Sequence, residues 1–260
     1  MRDLPKITVI TPSYNQGNYI EQTIQSVLGQ GYPKLEYIVM DGGSTDQTLD
    51  ILHKYENKLI IISEKDRGQS DAINKGLRLA TGDVISYLNS DDLIEPEGLF
   101  RVGEFFTSHP DAFWLAGRCR MIDPVGKELR KTITLYKNVW LLFKSYKVLQ
   151  ILDFLSQPAT FWRRQVIEKV GGFDEALHLA MDYDYSLRVG QRFKLWTTRE
   201  YLASFRIHPN SKSSSSMIVQ FEEDFSVLKR YSTSSIYLNM HALHNKLIIS
   251  VYRVLLAWDK

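Results

Sequence analysis

Val84-Ile85-Ser86-Tyr87-Leu88-Asn89-Ser90-Asp91-Asp92 is the stretch on which the fold turns. An apolar run ends on a polar cluster with two adjacent carboxylates, as expected where a buried strand delivers its last residues to a ligand crevice. Neighbouring carboxylates at the end of such a strand repel each other and are costly to bury without a cation. Hard oxygen donors suit Mg2+ or Mn2+, which take one or two protein carboxylates and leave other positions to substrate phosphates. A helix-capping pair ahead of Glu95-Pro96-Glu97 is the plain alternative, and the segment alone does not separate the two.

Upstream, the same alternation repeats. Ile7 to Thr11 reads as a strand followed by the loop Pro12-Ser13-Tyr14-Asn15, and Ile20, Ile24, Val27 and Leu28 recur at helical spacing. Leu35 to Met40 is a second strand, closed by Asp41-Gly42-Gly43-Ser44; Ser44 to Gln47 then offers a helix start ahead of Leu49, Ile51 and Leu52. Leu59 to Ile62 makes a third strand, and Ala72, Ile73, Leu77 and Leu79 lie on a helix ending near Gly82. Strands alternating with helices predict an α/β fold with a mostly parallel central sheet and helices on both faces. The clusters at Asp41, Asp66-Arg67 and Asp91-Asp92 then converge on one crevice at the carboxyl ends of the strands.

Downstream the rhythm loosens. Phe100 to Phe106 reads as helix, Ala112 to Met121 as strand and Val139 to Phe154 as an apolar helical region. Gln157 to Trp162 is extended, and Arg164 to Val170 is helical up to Gly171-Gly172. Asp182-Tyr183-Asp184 opens a helix ending near Gly190, and Phe193 to Arg206 has strand character. Ser211 to Ser216 reads as a mobile loop, with helices over residues 217–231 and 236–258. No linker separates two domains. The expected organisation is a nucleotide-binding half over 1–95, an acceptor-binding half over 96–215, and a helical extension over 216–260.

Bulk properties narrow the function. The 260 residues carry a net charge of +2, with 44% hydrophobic and 24% charged residues, which gives no basic stripe for nucleic acid. Cys119 is the sole cysteine, so an intramolecular disulfide and a multi-cysteine metal site are excluded; its apolar neighbours predict a small buried residue. Met1-Arg2-Asp3 leads almost directly into a strand, which reads as the absence of a signal peptide, and no apolar stretch reaches bilayer-spanning length. A cytoplasmic protein, soluble or peripheral at the inner face of the membrane, is expected. No G-x-G-x-x-G follows the first strand and no G-x-x-x-x-G-K-[ST] occurs, so a bound nucleotide needs another phosphate holder, and a metal is the obvious one.

Six pieces in order carry a resemblance: Thr11-Pro12-Ser13-Tyr14-Asn15, Asp41-Gly42-Gly43-Ser44-Thr45-Asp46, Asp66-Arg67-Gly68, Ala72-Ile73-Asn74-Lys75-Gly76, Ala80-Thr81-Gly82-Asp83 and Leu88-Asn89-Ser90-Asp91-Asp92. Their order and spacing resemble the family 2 glycosyltransferases, inverting enzymes of the GT-A fold, over residues 6 to about 210. The resemblance implies a metal-dependent transfer of sugar from a nucleotide-diphosphate donor, UDP-linked in the first instance, to a hydroxyl of a glycan or lipid-linked acceptor in cell-surface polysaccharide synthesis. It implies that Thr11, Pro12 and Tyr14 form the base-binding loop, with Tyr14 stacking on the nucleobase. Asp41 resembles the acidic base reader, and Arg67 the basic residue near base and phosphates. Asp91 and Asp92 match the DxD-type element, with Asp92 given the direct metal contact and Asp91 a metal or ribose contact. Two departures stand out: many members have a second acidic residue where this chain has Gly42, and an Asp where it has Asn89.

The second half supplies the catalytic group. Inversion needs a base that removes the acceptor proton as its oxygen attacks the anomeric carbon from the far side. Asp182 sits where the family has the Asp of a Glu-Asp pair, Met181 replacing the Glu; Asp184 is the second candidate, and a helix N-cap is the structural alternative for Asp182. Arg206-Ile207-His208 resembles an element whose His approaches the metal or diphosphate, with imidazole suiting Mn2+ better than Mg2+. The serine-rich stretch beyond it would act as a lid, and Gln157 to Phe161 would wall the acceptor side. The last helix, with Leu243, Leu247 and Val251 beside Lys246, is amphipathic and fits its own domain, a partner subunit or a membrane interface. Two other functions share these features: a nucleotidyltransferase, against which stands the lack of a Gly-rich triphosphate loop, and a non-catalytic nucleotide or sugar binder, which Met181 and Asn89 keep open.

Overall fold

Parallel pairing at one end of a single sheet builds the crevice. In this computed structural model, which describes residues 3–209, 211 and 217–258, β1 (Ile7–Ser13), β2 (Leu35–Asp41), β3 (Ile60–Ser63) and β4 (Val84–Tyr87) are parallel in the order β3-β2-β1-β4. The chain leaves β1 for β2 on one side and reaches β4 on the other. The gap between the ends of β1 and β4 is therefore the switch point at which α/β sheets bind ligands.

Beyond β4 the sheet becomes mixed. β8 (Thr160–Arg163) runs antiparallel to β4 and to β6 (Trp114–Ile122); β9 (Leu195–Arg206) is parallel to β6 and antiparallel to the short β5 (Leu93–Ile94). β7 (Glu128–Leu129) pairs with the far end of β6. Both halves of the chain thus share one sheet, and β9 ends beside the loop that leaves β4.

Alternation along the strands feeds two cores. On β1, Ile7 and Val9 face one side, where α1 (Ile20–Leu28) and α4 (Gly98–Ser108) add Ile20, Ile24, Leu99 and Val102. Ile10 faces the other, with Ile73 of α3 (Gln69–Leu79) and Tyr183, Tyr185 and Leu187 of α8 (Met181–Gly190). All these side chains are at least 99% buried, and each apolar one stabilises the fold by roughly 1.5–3 kcal/mol. α3 lies close to the sheet because Gly76 has no side chain; a Cβ there would stand 2.5 Å from Ile10 Cγ2. α2 (Thr48–His53) buries Thr48, Ile51 and Leu52, and α7 (Arg164–Val170) ends before Gly171, whose φ of 85° favours glycine.

The apolar stretch 139–154 forms parts of two helices, with no continuous helical region. α5 (Lys131–Leu141) stops, Lys144 takes a left-handed φ of 49°, and Ser145 caps α6 (Tyr146–Ile151) by accepting from Val148 N at 3.4 Å. α9 (Met217–Tyr231) follows residues 212–216, so most of the expected serine-rich lid lies outside the described residues. α10 (Ser235–Trp258) docks on the domain, with His241 stacked on Tyr183 of α8 and Phe225 of α9. Cys119 is buried, as its neighbours foretold. Among the described residues no helix is long and apolar enough to cross a membrane.

Candidate active site

Four strand ends and the end of β9 contribute to the site. At β1, Thr11 and Pro12 are buried, and the Thr11 hydroxyl lies 3.1 Å from that of Tyr37. Thr11 therefore turns inward and shapes the loop with its backbone. Tyr14, 58% exposed, is the side chain of this loop that a planar ligand can stack on. Asn15, at a φ of 52°, accepts from Thr45 N (2.8 Å), while its own N–H donates to Ser44 Oγ (2.8 Å).

Asp41 closes the end of β2 from within. It is 2% exposed, and its carboxylate accepts from Gly43 N (3.1 Å), Ser44 N (3.0 Å), Ser44 Oγ and Ser63 Oγ (2.7 Å). Oδ2 accepts three of these bonds and Oδ1 one, so the carboxylate holds the loop that reaches Asn15. Gly42 is filled from elsewhere: a Cβ there would collide with the carboxylate of Asp66. The acidic group missing at position 42 is thus present in space, delivered by the loop after β3, a substitution that sequence spacing does not reveal.

Arg67 is largely exposed but tethered to Asp71 (3.1 Å) and Glu175 (2.6 Å). Asn74 joins the same two regions by donating to Phe173 O (2.9 Å) and Glu175 Oε1 (3.0 Å) and accepting from Phe173 N (2.8 Å). Asn74 and Glu175 therefore stitch α3 to the loop before α8, which holds the two halves of the crevice in register.

The loop after β4 meets β9. Asp91 Oδ2 lies 2.9 Å from His208 Nε2, and the His208 ring packs 4.5 Å from that of Tyr19; its Nδ1 meets no partner among the described residues. Asp92 points the other way. It is fully buried, accepting from Arg206 N (2.9 Å) and from Asn89 Nδ2 (3.2 Å), and burial, then the neighbouring Asp91, pushes its carboxyl well above the usual range. Asn89, oriented by Gln69 Nε2 at 2.7 Å, gives Asp92 a donor where an Asp would add charge. Arg206, also fully buried, donates to the carbonyls of Asp91 (2.8 Å), Asp123 (3.2 Å) and Pro124 (2.8 Å) and to Gln22 Oε1 (2.9 Å). It clamps the backbone that presents Asp91. Asp91 is the carboxylate that reaches His208, while Asp92, expected as the direct metal contact, turns to Arg206 N and Asn89.

Asp182 lies near the β4 end, where its charge acts on Tyr87. It stands in the first turn of α8 and lines a small cavity with Asp153, Gln157, Thr160, Trp162, Phe173 and Ser186. Its Oδ1 accepts from Tyr183 N at 3.0 Å. Burial raises its pKa and Glu223 pushes the same way, opposed by the backbone N–H bonds and Lys137. Asp153 is pushed up to about 7 by burial, with Asp182 adding to the shift. Gln157 donates to Tyr87 O (2.7 Å), while its Oε1 and Trp162 Nε1 meet no partner among the described residues. Tyr87, ending β4, is raised by burial and then by Asp182, Asp92 and Asp153 in turn. The Asp182 cavity and the Asp91–His208 pair thus both lie near the end of β4.

The second candidate base is taken. Asp184, 1% exposed, accepts from Arg188 Nε (2.8 Å) and from the Tyr231 hydroxyl, and it does not line the cavity.

Comparison with known proteins assigns the chain to a family. The family model described as Glycosyl transferase family 2 covers residues 8–171. A Bacillus subtilis (strain 168) glycosyltransferase provisionally assigned to teichuronic acid biosynthesis is 41% identical over 134 residues, 50% of this chain and 52% of that relative. Among solved structures, the mannosyltransferase PcManGT of Pyrobaculum calidifontis, in complex with GDP-Man and Mn2+, aligns with a TM-score of 0.70 at 19% identity. That alignment covers 94% of this chain and 69% of the mannosyltransferase. S. aureus TarS 1-349 in complex with UDP-GlcNAc aligns at 0.67 and 20% identity, over 91% and 70%. At such identities these likenesses establish the fold, and it is the GT-A arrangement expected. The matches span 65%, 52% and 47% of the length of the first curated relatives.

Proposed function

The chain belongs to glycosyl transferase family 2, and on that premise we propose that it transfers a sugar, with inversion, from a nucleoside-diphosphate sugar to a hydroxyl of a glycan or lipid-linked acceptor. The observation that carries the reading is the pairing of two sites across the end of β4: a base-bearing cavity at Asp182 and a carboxylate–imidazole pair at Asp91 and His208. UDP is the leading nucleotide, with GDP the second, since structures of the same fold hold UDP-GlcNAc and GDP-Man. The relative assigned to teichuronic acid supports a cell-surface glycan acceptor, made on the cytoplasmic side.

The donor set fits a divalent cation in part. Asp91 and His208 offer one oxygen and one nitrogen, and the remaining positions would fall to diphosphate oxygens. Imidazole favours Mn2+ over Mg2+. When bound, such an ion neutralises charge developing on the departing diphosphate.

The protein's own groups do the rest. Tyr14 stacks on the base, while the loop held by Asp41 and Asp66 contacts its edge; Arg67 lies alongside as a cation. Asp182 takes the acceptor hydroxyl proton as that oxygen bonds to the anomeric carbon, and the bond from that carbon to the diphosphate oxygen breaks on the opposite face. Gln157 Oε1 and Trp162 Nε1 supply an acceptor and a donor that sugar hydroxyls can satisfy. A carboxyl raised by burial is a stronger base than one in water, which suits this step.

A panel of nucleotide sugars incubated with the protein, with and without Mn2+, tests the reading. Release of free nucleoside diphosphate from one donor supports it. Release of pyrophosphate from a nucleoside triphosphate, with no donor turned over, would replace it by nucleotidyl transfer.

A further inference from the structure

We propose that the exposed face shared by α5 and α10 docks on an anionic phospholipid surface. On α10, Ile236, Met240, Leu243, Leu247 and Val251 are all exposed, and their spacing keeps them on one side of the helix. The other side is occupied: His241 and Asn245 are buried against the domain. α5 and the turn after it add Leu135, Val139, Leu142 and Phe143, exposed by 64%, 45%, 50% and 59%. The Tyr136 hydroxyl lies 2.9 Å from His244 Nε2 with the rings nearly parallel, so the two helices meet through these side chains. An exposed leucine, Leu135 or Leu243, is next in sequence to each ring. Nine exposed apolar side chains on two helices and a turn, the helices joined at Tyr136 and His244, mark an interaction site, where single surface leucines would not.

Charge identifies the occupant. Residues 130–152 and 235–251 contain Arg130, Lys131, Lys137, Lys144, Lys147 and Lys246 and no Asp or Glu. Lys131 lies 3.9 Å from Glu128, and Lys137 turns inward to the carbonyl of Leu155. Among the described residues Lys144, Lys147 and Lys246 meet no carboxylate, and all three are exposed. Apolar side chains fringed by lysines match the headgroup level of an anionic leaflet, where chains bury and lysines meet phosphate. A second copy of this chain would bring the same positive fringe and be repelled.

The face also lies near the site, since Lys137 acts on both Asp153 and Asp182. Docking would bring the acceptor cavity towards the bilayer. That consequence rests on the transfer reading; the docking does not.

Flotation of the full chain with vesicles tests it. Binding is expected to vesicles of phosphatidylcholine and phosphatidylglycerol in equal parts, not to phosphatidylcholine alone, and should weaken as salt is raised. Lys144→Gln or Lys147→Gln should each reduce partitioning roughly five-fold. Leu243→Asp with Leu247→Asp should abolish it while the thermal midpoint holds, because both side chains are already in solvent. Absence of binding to the anionic vesicles overturns the proposal, as does undiminished binding of the double variant. So does a concentration-dependent dimer in light scattering that the double variant dissolves. Donor turnover is read separately without vesicles, so failure of docking and failure of transfer are distinguishable.

Discussion

Replacing Asp182 and Asp184 in turn by Asn separates the proposed base from its neighbour, because the two carboxylates are two residues apart and differ in everything they touch. Asp182→Asn keeps the shape of the cavity and removes the proton acceptor. General-base catalysis contributes about 10²–10⁴-fold, which is about 3–5 kcal/mol of barrier. Turnover should fall by that factor with nucleotide affinity unchanged, since neither Asp91 nor His208 lines the Asp182 cavity. Asp184→Asn instead breaks a buried ion pair with Arg188. Such losses cost about 3–5 kcal/mol, and the partial exposure of Arg188 (21%) argues for the lower end. A loss of about 3 kcal/mol in a chain of this size lowers the thermal midpoint by roughly 6–12 °C, while folded protein keeps its turnover per site. The assay is nucleoside-diphosphate release by single turnover, with calorimetry alongside. If Asp182→Asn keeps more than roughly a tenth of the turnover, or Asp184→Asn loses turnover with an unchanged midpoint, the base assignment is wrong.

Other consequences follow from the same geometry. Asp153, pushed up to about 7 by burial with the Asp182 carboxylate adding to the shift, should titrate at lower pH in Asp182→Asn when followed by carboxyl NMR, and an unmoved titration would contradict the interaction. Arg206→Met leaves the carbonyls of Asp91, Asp123 and Pro124 without their donor, so metal-dependent nucleotide binding should weaken at least ten-fold, and chemical denaturation should show a loss of about 3 kcal/mol or more. Glu36 is pushed up by burial, but hydrogen bonds from Lys6, Thr8 and Thr81 outweigh that and hold it at about 2. Its contribution, on the order of 2–3 kcal/mol, is present above the unfolded value and lost as pH falls from about 5 towards 2. Glu36→Gln should flatten that acid limb of the stability curve, and an unchanged slope would refute it.

The sequence made the strand ends legible because each chemistry-bearing cluster directly follows an apolar run, and a parallel sheet gathers such ends on one edge. It placed α7 and α8 correctly because Gly171-Gly172 and Asp182 mark a stop and a start. The break between α5 and α6 was hidden, since Lys144 and Ser145 look like ordinary polar residues within an apolar helix until the left-handed turn is seen. Asp91 and Asp92 could not be told apart by type; burial and the N–H of Arg206 decided which one turns inward. In sequence Arg206 is only the neighbour of His208, yet its side chain holds three carbonyls and Gln22. The space beside Gly42 was read as an absence, although Asp66 fills it across the crevice. Pairings between residues distant in sequence carry no local signal, which is why these features are visible only in the folded chain.

The most direct test of the account is a calorimetric titration of UDP and GDP into the protein with Mn2+, repeated with chelator and with Asp91→Ala. Binding of one nucleotide that falls at least ten-fold with either change is the predicted result. Equal affinity in all three conditions would mean that Asp91 and His208 do not hold the diphosphate through a cation, and the proposed site would be contradicted.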